Sequence, residues 1–463
     1  VFHIAGFIVV ALGCGLFTNQ IILSDFMEEH QINIRMFRPM ESYQKYGGVL
    51  TFARSVGYAV VKKPEGYTTA KVDQIIQEYE KKSANEQQST AKQYPNIITV
   101  VNETFADIKV LGDFKTNEDY MPYFHSLKKN CVTGYTYASI VGGQTANTEF
   151  ELLTGNTLGF LSAGTTAFQL YIHGQMPSLV SNLKAEGYSG NKAMHPFNPY
   201  NYNRPAVYKD FGFTDFIDKF DFPKNVKRVR EYISDEANVD RIISEYEKNR
   251  KKTDQPFYMY NMTIQNHSPY DKDAANFKQP IKIESSKYDA EANRYLNLIK
   301  YSDDSLKQLT SYFEKCKEPT IILFLGDHQP RLTDEFMNKI TNGQYQTWSS
   351  EQMMKRYQVP FVIWANYDIK EQHIEKTSMN YIQSILTQTA GVKMTGYQRF
   401  LNKVQKEVPT ITSQGYWGKN GKFYQINDKG SPYYGIIQKY RMIQYNMMFD
   451  KKNRRDSFFE VSK

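Results

Sequence analysis

The chain has little cysteine: Cys14, Cys131 and Cys316 are its three thiols among 463 residues. Three thiols give no even disulfide framework, and Cys14 lies in an apolar segment. Disulfides are therefore not the main stabiliser of the fold, and cysteine usage leaves the cellular compartment open.

The sequence also lacks a dense basic and aromatic tract of the kind that binds nucleic acid, although its net charge is +8. The basic cluster Lys224–Arg230 is followed at once by Glu231, Asp235 and Glu236, so we interpret it as a solvated face. A modest positive balance suits a protein that works against an anionic membrane or polymer. We predict no nucleic-acid partner.

The first segment, Val1–Phe17, is uncharged and almost wholly apolar. Its length is close to the ~17–20 residues that a bilayer span needs. It lacks the basic n-region and the short apolar core of a signal peptide. A buried core helix is the alternative interpretation. Because the chain begins on valine, we expect a fragment that opens inside a last transmembrane helix, residues 1–20.

Residues 21–93 predict a juxtamembrane helical linker. Gly47–Val60 is moderately apolar with one arginine, and it either lies in the membrane interface or packs on the following domain. Thr68–Lys82 has a threonine cap and apolar residues at helical spacing. Ser83–Gln93 has no apolar periodicity, so we place a linker there.

From residue 94 to residue 395, strand and helix patterns alternate. Apolar runs that predict buried strands occur at 95–101, 193–195, 257–265, 320–325 and 360–365, and helical patterns at 176–186, 235–248, 290–314 and 378–389. This alternation predicts an α/β fold with a mostly parallel central sheet and helices on both faces.

The pattern changes in residues 396–463. Gly415–Gln425 predicts a hairpin with an Asn420-Gly421 turn, and Ile436–Phe449 predicts a helix. We interpret this part as a small α+β C-terminal extension.

Polar residues follow the predicted strands at their carboxyl ends. Open α/β sheets bind ligands at that edge, so these side chains are expected on one rim of the sheet. They are Glu103, His195, His267, Asp327 and His328.

The stretch Val141–Glu149 predicts the start of a short helix that ends at Thr154-Gly155. Gly142 and Gly143 precede it, and Thr145 lies in its first turn. Free N–H groups and the helix dipole would face an anion beside the Thr145 hydroxyl. The plain alternative is that Thr145 only caps the helix.

Glu103, Asp327, His328 and Thr145 together offer mostly hard oxygen donors. Such a set suits Mn²⁺ or Mg²⁺ better than Zn²⁺, which stays possible. A hydroxyl bound to a divalent cation loses its proton readily, and the alkoxide can attack phosphorus. Helix capping and structural packing are the alternative roles for these residues.

Five collinear stretches resemble the lipoteichoic acid synthase family, over roughly residues 95–390. They are residues 95–105, residues 142–151, His195 with Tyr202-Asn203-Arg204, residues 266–270 and residues 326–330. The resemblance implies an alkaline-phosphatase/sulfatase-like sandwich that is membrane-anchored and transfers phosphoglycerol.

The same resemblance implies residue roles. Glu103, Thr145, Asp327 and His328 match the Mn²⁺ ligands, with Thr145 as the nucleophile. His195, Arg204 and His267 match residues that hold the glycerol phosphate, and either histidine could exchange the catalytic proton. Tyr202 stands where well-known members carry tryptophan, which leaves the head group and the acceptor open.

The implied reaction moves glycerol phosphate from phosphatidylglycerol through a covalent threonine intermediate. The acceptor is a glycerol-phosphate polymer, a glycolipid or a wall glycan. The family also implies an extracellular catalytic domain on the cell membrane, further upstream transmembrane helices, and cell-wall biogenesis of the Gram-positive kind.

Four other functions are alternatives for this sequence. A formylglycine sulfatase needs Cys or Ser followed by x-Pro-x-Arg, and the sequence has no such run. Phosphoethanolamine transferases usually have disulfide-rich domains, which two cysteines outside the apolar segment fit poorly. A phosphodiesterase that releases glycerol phosphate to water stays open. A non-catalytic polymer-binding homologue is disfavoured by the intact ligand set.

Overall fold

The computed structural model describes residues 2–22, 24, 26–30, 32, 34, 39–83, 94–284, 290–343 and 345–461. The predicted linker Ser83–Gln93 lies outside these residues from position 84 onward.

The strands are numbered in chain order. They are β1 Asn96–Asn102, β2 Cys131–Tyr137, β3 Ser189–Met194, β4 Asp215–Ile217, β5 Arg228–Val229, β6 Tyr232–Ile233, β7 Phe257–Met262, β8 Thr320–Gly326, β9 Gln358–Ala365, β10 Gln372–Ser378, β11 Thr410–Thr412, β12 Gly415–Trp417 and β13 Phe423–Tyr424.

The α-helices are numbered in the same way. They are α1 Phe2–Phe17, α2 Phe26–Glu29, α3 Pro39–Ala59, α4 Thr69–Ser83, α5 Pro122–Ser126, α6 Thr145–Thr154, α7 Ala167–Leu170, α8 Leu179–Ala185, α9 Arg204–Phe211, α10 Asp235–Arg250, α11 Ala290–Phe313, α12 Asp334–Ile340, α13 Ser350–Met353, α14 Met379–Thr389, α15 Gly396–Glu407, α16 Tyr434–Met448 and α17 Asp456–Phe459.

An eight-stranded sheet, in the order β10-β2-β9-β8-β1-β7-β3-β4, is the centre of the fold. β9 pairs antiparallel with β2 and β8, and the other pairings in this sheet are parallel. The mostly parallel sheet predicted from the sequence is therefore confirmed.

Both faces of the sheet are covered, so β1 and β8 are buried along their whole length. Ile97 and Val101 of β1 belong to one hydrophobic cluster, and Ile98 and Val100 belong to the other. The first cluster contains residues of α4, α6, α8, α14, α15 and α16, and the second contains residues of α10 and α11. Alternation along each strand thus divides its side chains between two helical layers.

The N-terminal helix α1 leads into a π-helical turn, Thr18–Ile22. Within the described residues, Ala5–Ile22 is the one stretch that is long and apolar enough to cross a bilayer, and none of it is buried. α3 packs beside this turn, and a Cβ placed at Gly57 would lie 3.4 Å from the Ile22 carbonyl oxygen.

The C-terminal residues form the predicted hairpin and helix. β12 and β13 pair antiparallel, with Trp417 opposite Phe423, and α16 covers most of the predicted helix. α15 and α16 contribute residues to the same hydrophobic cluster as α6. The extension is therefore packed into the core beside the sheet.

Candidate active site

Two carboxylates emerge side by side at the carboxyl edge of the sheet. β1 and β8 pair in parallel with Asn102 opposite Gly326, so Glu103 and Asp327 follow at equivalent positions. A Cβ at Gly326 would lie 1.8 Å from the Phe105 carbonyl oxygen. Glycine has no Cβ and is therefore the only residue that avoids this clash. The close approach of these two chain segments therefore depends on Gly326.

Glu103, Asp327 and His328 form a compact buried cluster, in which one donor atom from each residue lies within 4.8 Å of the others. His328 Nε2 lies 3.3 Å from Asp327 Oδ2 and 3.7 Å from Glu103 Oε1. In the part of the chain that the structure describes, Asp327 Oδ2 and His328 Nε2 are buried without a hydrogen-bond partner. Buried polar atoms normally form hydrogen bonds, so these two atoms are suited to bind a ligand.

Neighbouring groups orient the cluster. His328 Nδ1 lies 3.0 Å from the Gln329 carbonyl oxygen, which places the proton on Nδ1 and leaves Nε2 free to bind a cation. The Thr104 N–H donates to Asp327 Oδ1 at 2.7 Å, and its hydroxyl donates to Glu103 Oε1 at 2.7 Å. This role of Thr104 was not predicted from the sequence.

The cluster brings two carboxyl groups together in a buried position. Burial, and then the nearby Asp327 carboxylate, raise the pKa of Glu103 to about 8. Carboxylate oxygens with one imidazole are a suitable donor set for a hard divalent cation. The residues present therefore fit the divalent metal that the sequence predicted.

The nucleophile candidate Thr145 is the first residue of α6, which spans Thr145–Thr154 and is followed by Gly155 in a left-handed conformation. The predicted helix is confirmed with its predicted end. Thr145 Oγ1 donates to Glu103 Oε2 at 3.4 Å, and Thr148 Oγ1 donates to the Asp327 carbonyl oxygen at 2.8 Å. These bonds hold the start of α6 against the acidic cluster.

The turn before α6 has an unusual backbone. Gly142 has a φ of +68° and Gln144 a φ of +67°, both in the left-handed region. A Cβ at Gly142 would also lie 3.0 Å from the Arg331 Cβ. Gly142 therefore allows the tight turn that directs Thr145 toward the cluster.

Arg204 begins α9 and is buried against α6. Its Nε and Nη2 donate to Glu149 Oε1 at 3.1 Å and 2.7 Å. The other Glu149 oxygen accepts from the hydroxyls of Tyr208 and Tyr260. Arg204 Nη1 has only a long 3.5 Å contact with the Asn201 carbonyl oxygen among its described hydrogen bonds.

No role for Glu149 was predicted from the sequence. It lies four residues after Thr145 on the same helix, so the two side chains share a face. A buried arginine needs a carboxylate partner. The presence of a glutamate in the stretch Val141–Glu149, which already contained the predicted nucleophile, was the signal that could have identified this partner.

His195 follows β3 and is buried, and its Nδ1 lies 3.0 Å from the Met262 carbonyl oxygen. Burial, and then the positive charge of Arg204, hold the pKa of His195 well below its usual range. The imidazole is therefore neutral near pH 7, and its proton lies on Nδ1, which donates to the Met262 carbonyl oxygen.

His267 follows β7 and is partly exposed. Its Nδ1 contacts the Ser268 carbonyl oxygen at 2.7 Å, and its ring stacks 6.2 Å from the ring of Phe197. These contacts place His267 on the outer part of the rim. The described hydrogen bonds do not join it to Glu103 or Asp327.

Tyr202 lies beside Arg204, whose guanidinium carbon is 5.0 Å from the Tyr202 ring centre. Its φ of +62° is rare for a bulky residue. Burial raises the pKa of Tyr202 to about 12, so its hydroxyl stays protonated. The strained backbone presents the ring next to the cation, as a binding role would require.

The chain is similar in sequence to several known proteins. A profile of the sulfatase family matches residues 95–392. A putative cyclic beta-1,2-glucan modification protein of Rhizobium meliloti is 30% identical over 433 residues, which cover 92% of this chain and 65% of that protein. The lipoteichoic acid synthase-like protein YvgJ of Bacillus subtilis is 27% identical over 50% of this chain and 36% of its own length. The chain thus spans less than two thirds of either relative.

Two solved structures are similar in fold. The phosphoglycerol transferase GacH of Streptococcus pyogenes, in complex with sn-glycerol-1-phosphate, has a TM-score of 0.69 at 20% identity, covering 87% of this chain and 100% of that chain. The lipoteichoic acid synthase LtaP of Listeria monocytogenes has a TM-score of 0.60 at 20% identity, covering 84% and 99%. These likenesses confirm the predicted alkaline-phosphatase/sulfatase-like α/β fold.

Proposed function

Because the chain belongs to the sulfatase family, we propose that it is a metal-dependent transferase that moves phosphoglycerol from phosphatidylglycerol to an acceptor hydroxyl. The observation that carries this proposal is the position of Thr145. Its hydroxyl lies at the first turn of α6 and contacts the buried cluster of Glu103, Asp327 and His328. A hydroxyl beside a cation site and a helix N-terminus is suited to attack a phosphodiester.

Four residues would hold the cation: Glu103, Thr145, Asp327 and His328. A bound divalent cation lowers the pKa of the hydroxyl and offsets charge on the phosphate oxygens. Mn²⁺ is our first candidate, Mg²⁺ the second and Zn²⁺ the third, because the donors are mostly oxygen.

In the proposed first step, Thr145 Oγ1 gives up its proton and forms a bond to phosphorus, while the bond from phosphorus to the diacylglycerol oxygen breaks. The leaving oxygen takes up one proton and departs as diacylglycerol. In the second step an acceptor hydroxyl gives up its proton and forms a bond to the phosphorus of the glyceryl-phosphoryl threonine. The bond from phosphorus to Thr145 Oγ1 breaks, Oγ1 takes up one proton, and the free Thr145 hydroxyl is restored.

Arg204 would bind the phosphate. Glu149 occupies one edge of its guanidinium, which fixes the plane of the group and leaves Nη1 with only a weak contact. A fixed guanidinium edge binds phosphate oxygens with directional, charge-assisted hydrogen bonds. Tyr202 would line the glycerol beside it.

The two histidines would serve different steps. His195 is neutral with Nδ1 bonded to the Met262 carbonyl, so its Nε2 can accept a hydrogen bond from a glycerol hydroxyl. His267 lies on the exposed side of the rim, where leaving and attacking oxygens would exchange protons.

The descriptions of two relatives support the acceptor class that we propose. GacH is described as a phosphoglycerol transferase, and the Rhizobium relative as a putative modification protein for a cyclic glucan. We therefore propose a glycan or teichoic-acid-type hydroxyl as acceptor. The apolar helix α1 would anchor the chain in the cell membrane, with the catalytic domain on the extracellular side.

The test uses the full chain in vesicles that contain fluorescent phosphatidylglycerol and Mn²⁺, with and without glucan or glycerol-phosphate polymer. We expect diacylglycerol release that depends on Mn²⁺ and rises with acceptor, and labelled acceptor as the second product. Release of free glycerol phosphate at the same rate without acceptor would identify a phosphodiesterase instead. No diacylglycerol under any condition would refute the proposed donor.

A further inference from the structure

A cavity of about 530 Å³ lies at the carboxyl edge of the sheet, where the parallel strands β3 and β4 end. Three segments enclose it: Pro196-Phe197 after β3, the turn around Phe220 after β4, and the β5–β6 hairpin. Its volume is within the ~300–1,000 Å³ of typical ligand sites. None of the residues proposed to hold the cation or the phosphate lines it.

Phe197 joins this cavity to the active site. Its ring centre lies 6.1 Å from that of His195 and 6.2 Å from that of His267, with which it stacks. Tyr232 also lines the cavity, and its ring centre lies 5.7 Å from that of His267. A molecule in the cavity would therefore lie beside the histidine that we propose to exchange protons with the acceptor.

Aromatic rings make up much of the lining. They are Phe197, Phe220, Phe222 and Tyr232. Phe220 is 74% exposed, and Tyr200, three residues after Phe197 in the same loop, is 78% exposed. Among the described residues after position 60, these two are the strongly exposed large apolar side chains. Exposed apolar surface that is confined to one region of a fold marks a binding site.

The backbone of Phe220 is fixed although its ring is exposed. Its N–H donates to Asp218 Oδ1 at 2.7 Å, and the Asp218 N–H donates to Asp221 Oδ2 at 2.9 Å. Lys219 Nζ lies 4.9 Å from the Phe220 ring centre and 6.0 Å from the Phe197 ring centre. A ring that is already positioned binds a ligand with a smaller loss of conformational entropy.

The rest of the lining supplies hydrogen-bonding groups. The donors are Lys219, Lys224 and Arg228, and the acceptor is Glu231. Arg228 Nη1 donates to the Glu231 carbonyl oxygen at 2.9 Å, which holds its guanidinium at the hairpin. The cavity thus combines aromatic rings with polar groups of both hydrogen-bonding kinds.

This combination suits a sugar ring. The negative face of an aromatic ring attracts C–H groups that carry partial positive charge, and a pyranose presents such groups on its faces. The hydroxyls around a pyranose need both donors and acceptors, which Lys219 and Glu231 represent in the cavity. A glycerol-phosphate chain has no ring to stack and needs cations alone, so the aromatic lining favours the sugar.

We propose that this cavity is an acceptor subsite, in which a sugar ring of a glycan stacks on Phe220. The proposal rests on the proposed transferase function, because it gives the acceptor of that reaction a place. A glycan held there would present one of its hydroxyls on the side of the rim where His267 lies.

The first test measures binding and requires no reaction. The full chain in phosphatidylcholine nanodiscs, without phosphatidylglycerol, is titrated with a β-1,2-glucan oligosaccharide in a calorimeter. We expect saturable binding that Phe220→Ala weakens roughly tenfold, since one stacked ring is lost. Phe220→Tyr keeps the ring and should bind nearly as well as the wild type. The matched control is Phe52→Ala, because Phe52 is 65% exposed on α3, away from the cavity.

The second test measures transfer to the same glucan from fluorescent phosphatidylglycerol. Phe220→Ala should raise the KM for the glucan roughly tenfold, in line with the lost ring contact. Phe220→Tyr and Phe52→Ala should keep the wild-type KM.

Three outcomes would overturn the subsite. One is glucan binding by Phe220→Ala as tight as that of the wild type, with equal melting temperatures. Another is the absence of glucan binding by a wild type that still forms a phosphoglycerol adduct on Thr145. The third is binding of glycerol-phosphate polymer in place of glucan, reduced in Lys219→Gln with Lys224→Gln but not in Phe220→Ala, which would identify a polyanion site.

Failure of the proposed function gives a different result. Glucan binding that depends on Phe220, in a protein that releases no diacylglycerol from phosphatidylglycerol, would support the sugar site and refute only the proposed donor.

Discussion

Arg204 donates two hydrogen bonds to one oxygen of Glu149, from Nε at 3.1 Å and from Nη2 at 2.7 Å, and both side chains are buried. Glu149 lies one helical turn after Thr145 on α6. The cation proposed to bind phosphate is therefore fixed to the helix that carries the proposed nucleophile. The proposed phosphate site and the proposed nucleophile are thus both positioned by α6.

Replacing Glu149 tests this link. Glu149→Gln leaves the buried Arg204 charge uncompensated, and we expect a loss of unfolding free energy of about 3–5 kcal/mol. Urea unfolding of the full chain measures it. The control is Glu236→Gln, which breaks the exposed pair with Lys227 and should cost less than about 1 kcal/mol. Similar losses in the two variants would show that the buried pair has no special role.

Removing a carboxylate from the cluster should remove the cation. We expect Glu103→Gln and Asp327→Asn to weaken binding of Mn²⁺ by at least roughly tenfold, since each supplies a charged oxygen. Elemental analysis after equilibrium dialysis measures the bound metal. Glu151→Gln is the matched control, because Glu151 is a buried carboxylate that bonds to Ser139 and the Leu158 N–H outside the cluster. Metal retained equally by all variants would refute the site.

Gly326 should tolerate no side chain. Gly326→Ala places a Cβ 1.8 Å from a backbone oxygen of Phe105, so we expect a loss of stability of about 1–3 kcal/mol or more, with loss of bound metal. Gly343→Ala is the control, because a Cβ there meets nothing within 4 Å. Thermal unfolding and metal content together decide the outcome, and a Gly326→Ala protein that matches the control in both would contradict the packing argument.

The stability of the fold should also depend on pH through His125. Asp107 first, and then Asp119 at 2.7 Å, raise the pKa of His125 to about 9, against the effect of burial. Because the pKa of His125 is higher in the folded than in the unfolded state, protonated His125 stabilises the fold. This stabilisation is fully present below the ordinary pKa of 6.5 and is lost as the pH rises through about 9.

Melting temperatures of wild type and His125→Gln measure this contribution. We expect the wild type to exceed the variant below pH 6.5 and the difference to shrink above pH 9. His173→Gln is the control, since its imidazole contacts the Leu170 carbonyl instead of a carboxylate. A constant difference across this range would show that the ion pairs with His125 do not stabilise the fold.

The sequence predicted those parts of the fold whose pattern is local. β1 and β8 are rich in β-branched and other apolar residues and are buried on both faces, and α6 lies between glycines in the sequence. β2 and β10 were not predicted, because Cys131–Tyr137 mixes polar and apolar residues and Gln372–Ser378 is mostly exposed. β2 pairs with β9 and β10 pairs with β2, and no local pattern records these contacts.

The residues of the candidate site also differ in how far the sequence predicts their position. Glu103, Asp327 and His328 follow apolar strands, so their shared rim could be predicted from strand order alone. The partners of Arg204 could not, because the Glu149 carboxylate reaches it from a helix 55 positions earlier in the chain. Long-range pairs of this kind appear only when the strands and helices are assembled.

A search for phosphoglycerol on Thr145 tests the proposed covalent mechanism. Full-length protein is mixed with phosphatidylglycerol and Mn²⁺ without acceptor, quenched in acid, digested and analysed by tandem mass spectrometry. We expect a mass increase of one phosphoglycerol group on the peptide that carries Thr145, absent from Thr145→Ala and lost from the wild type when a glycan acceptor is added. Diacylglycerol release by Thr145→Ala at the wild-type rate, with no adduct on the wild-type peptide, would contradict it.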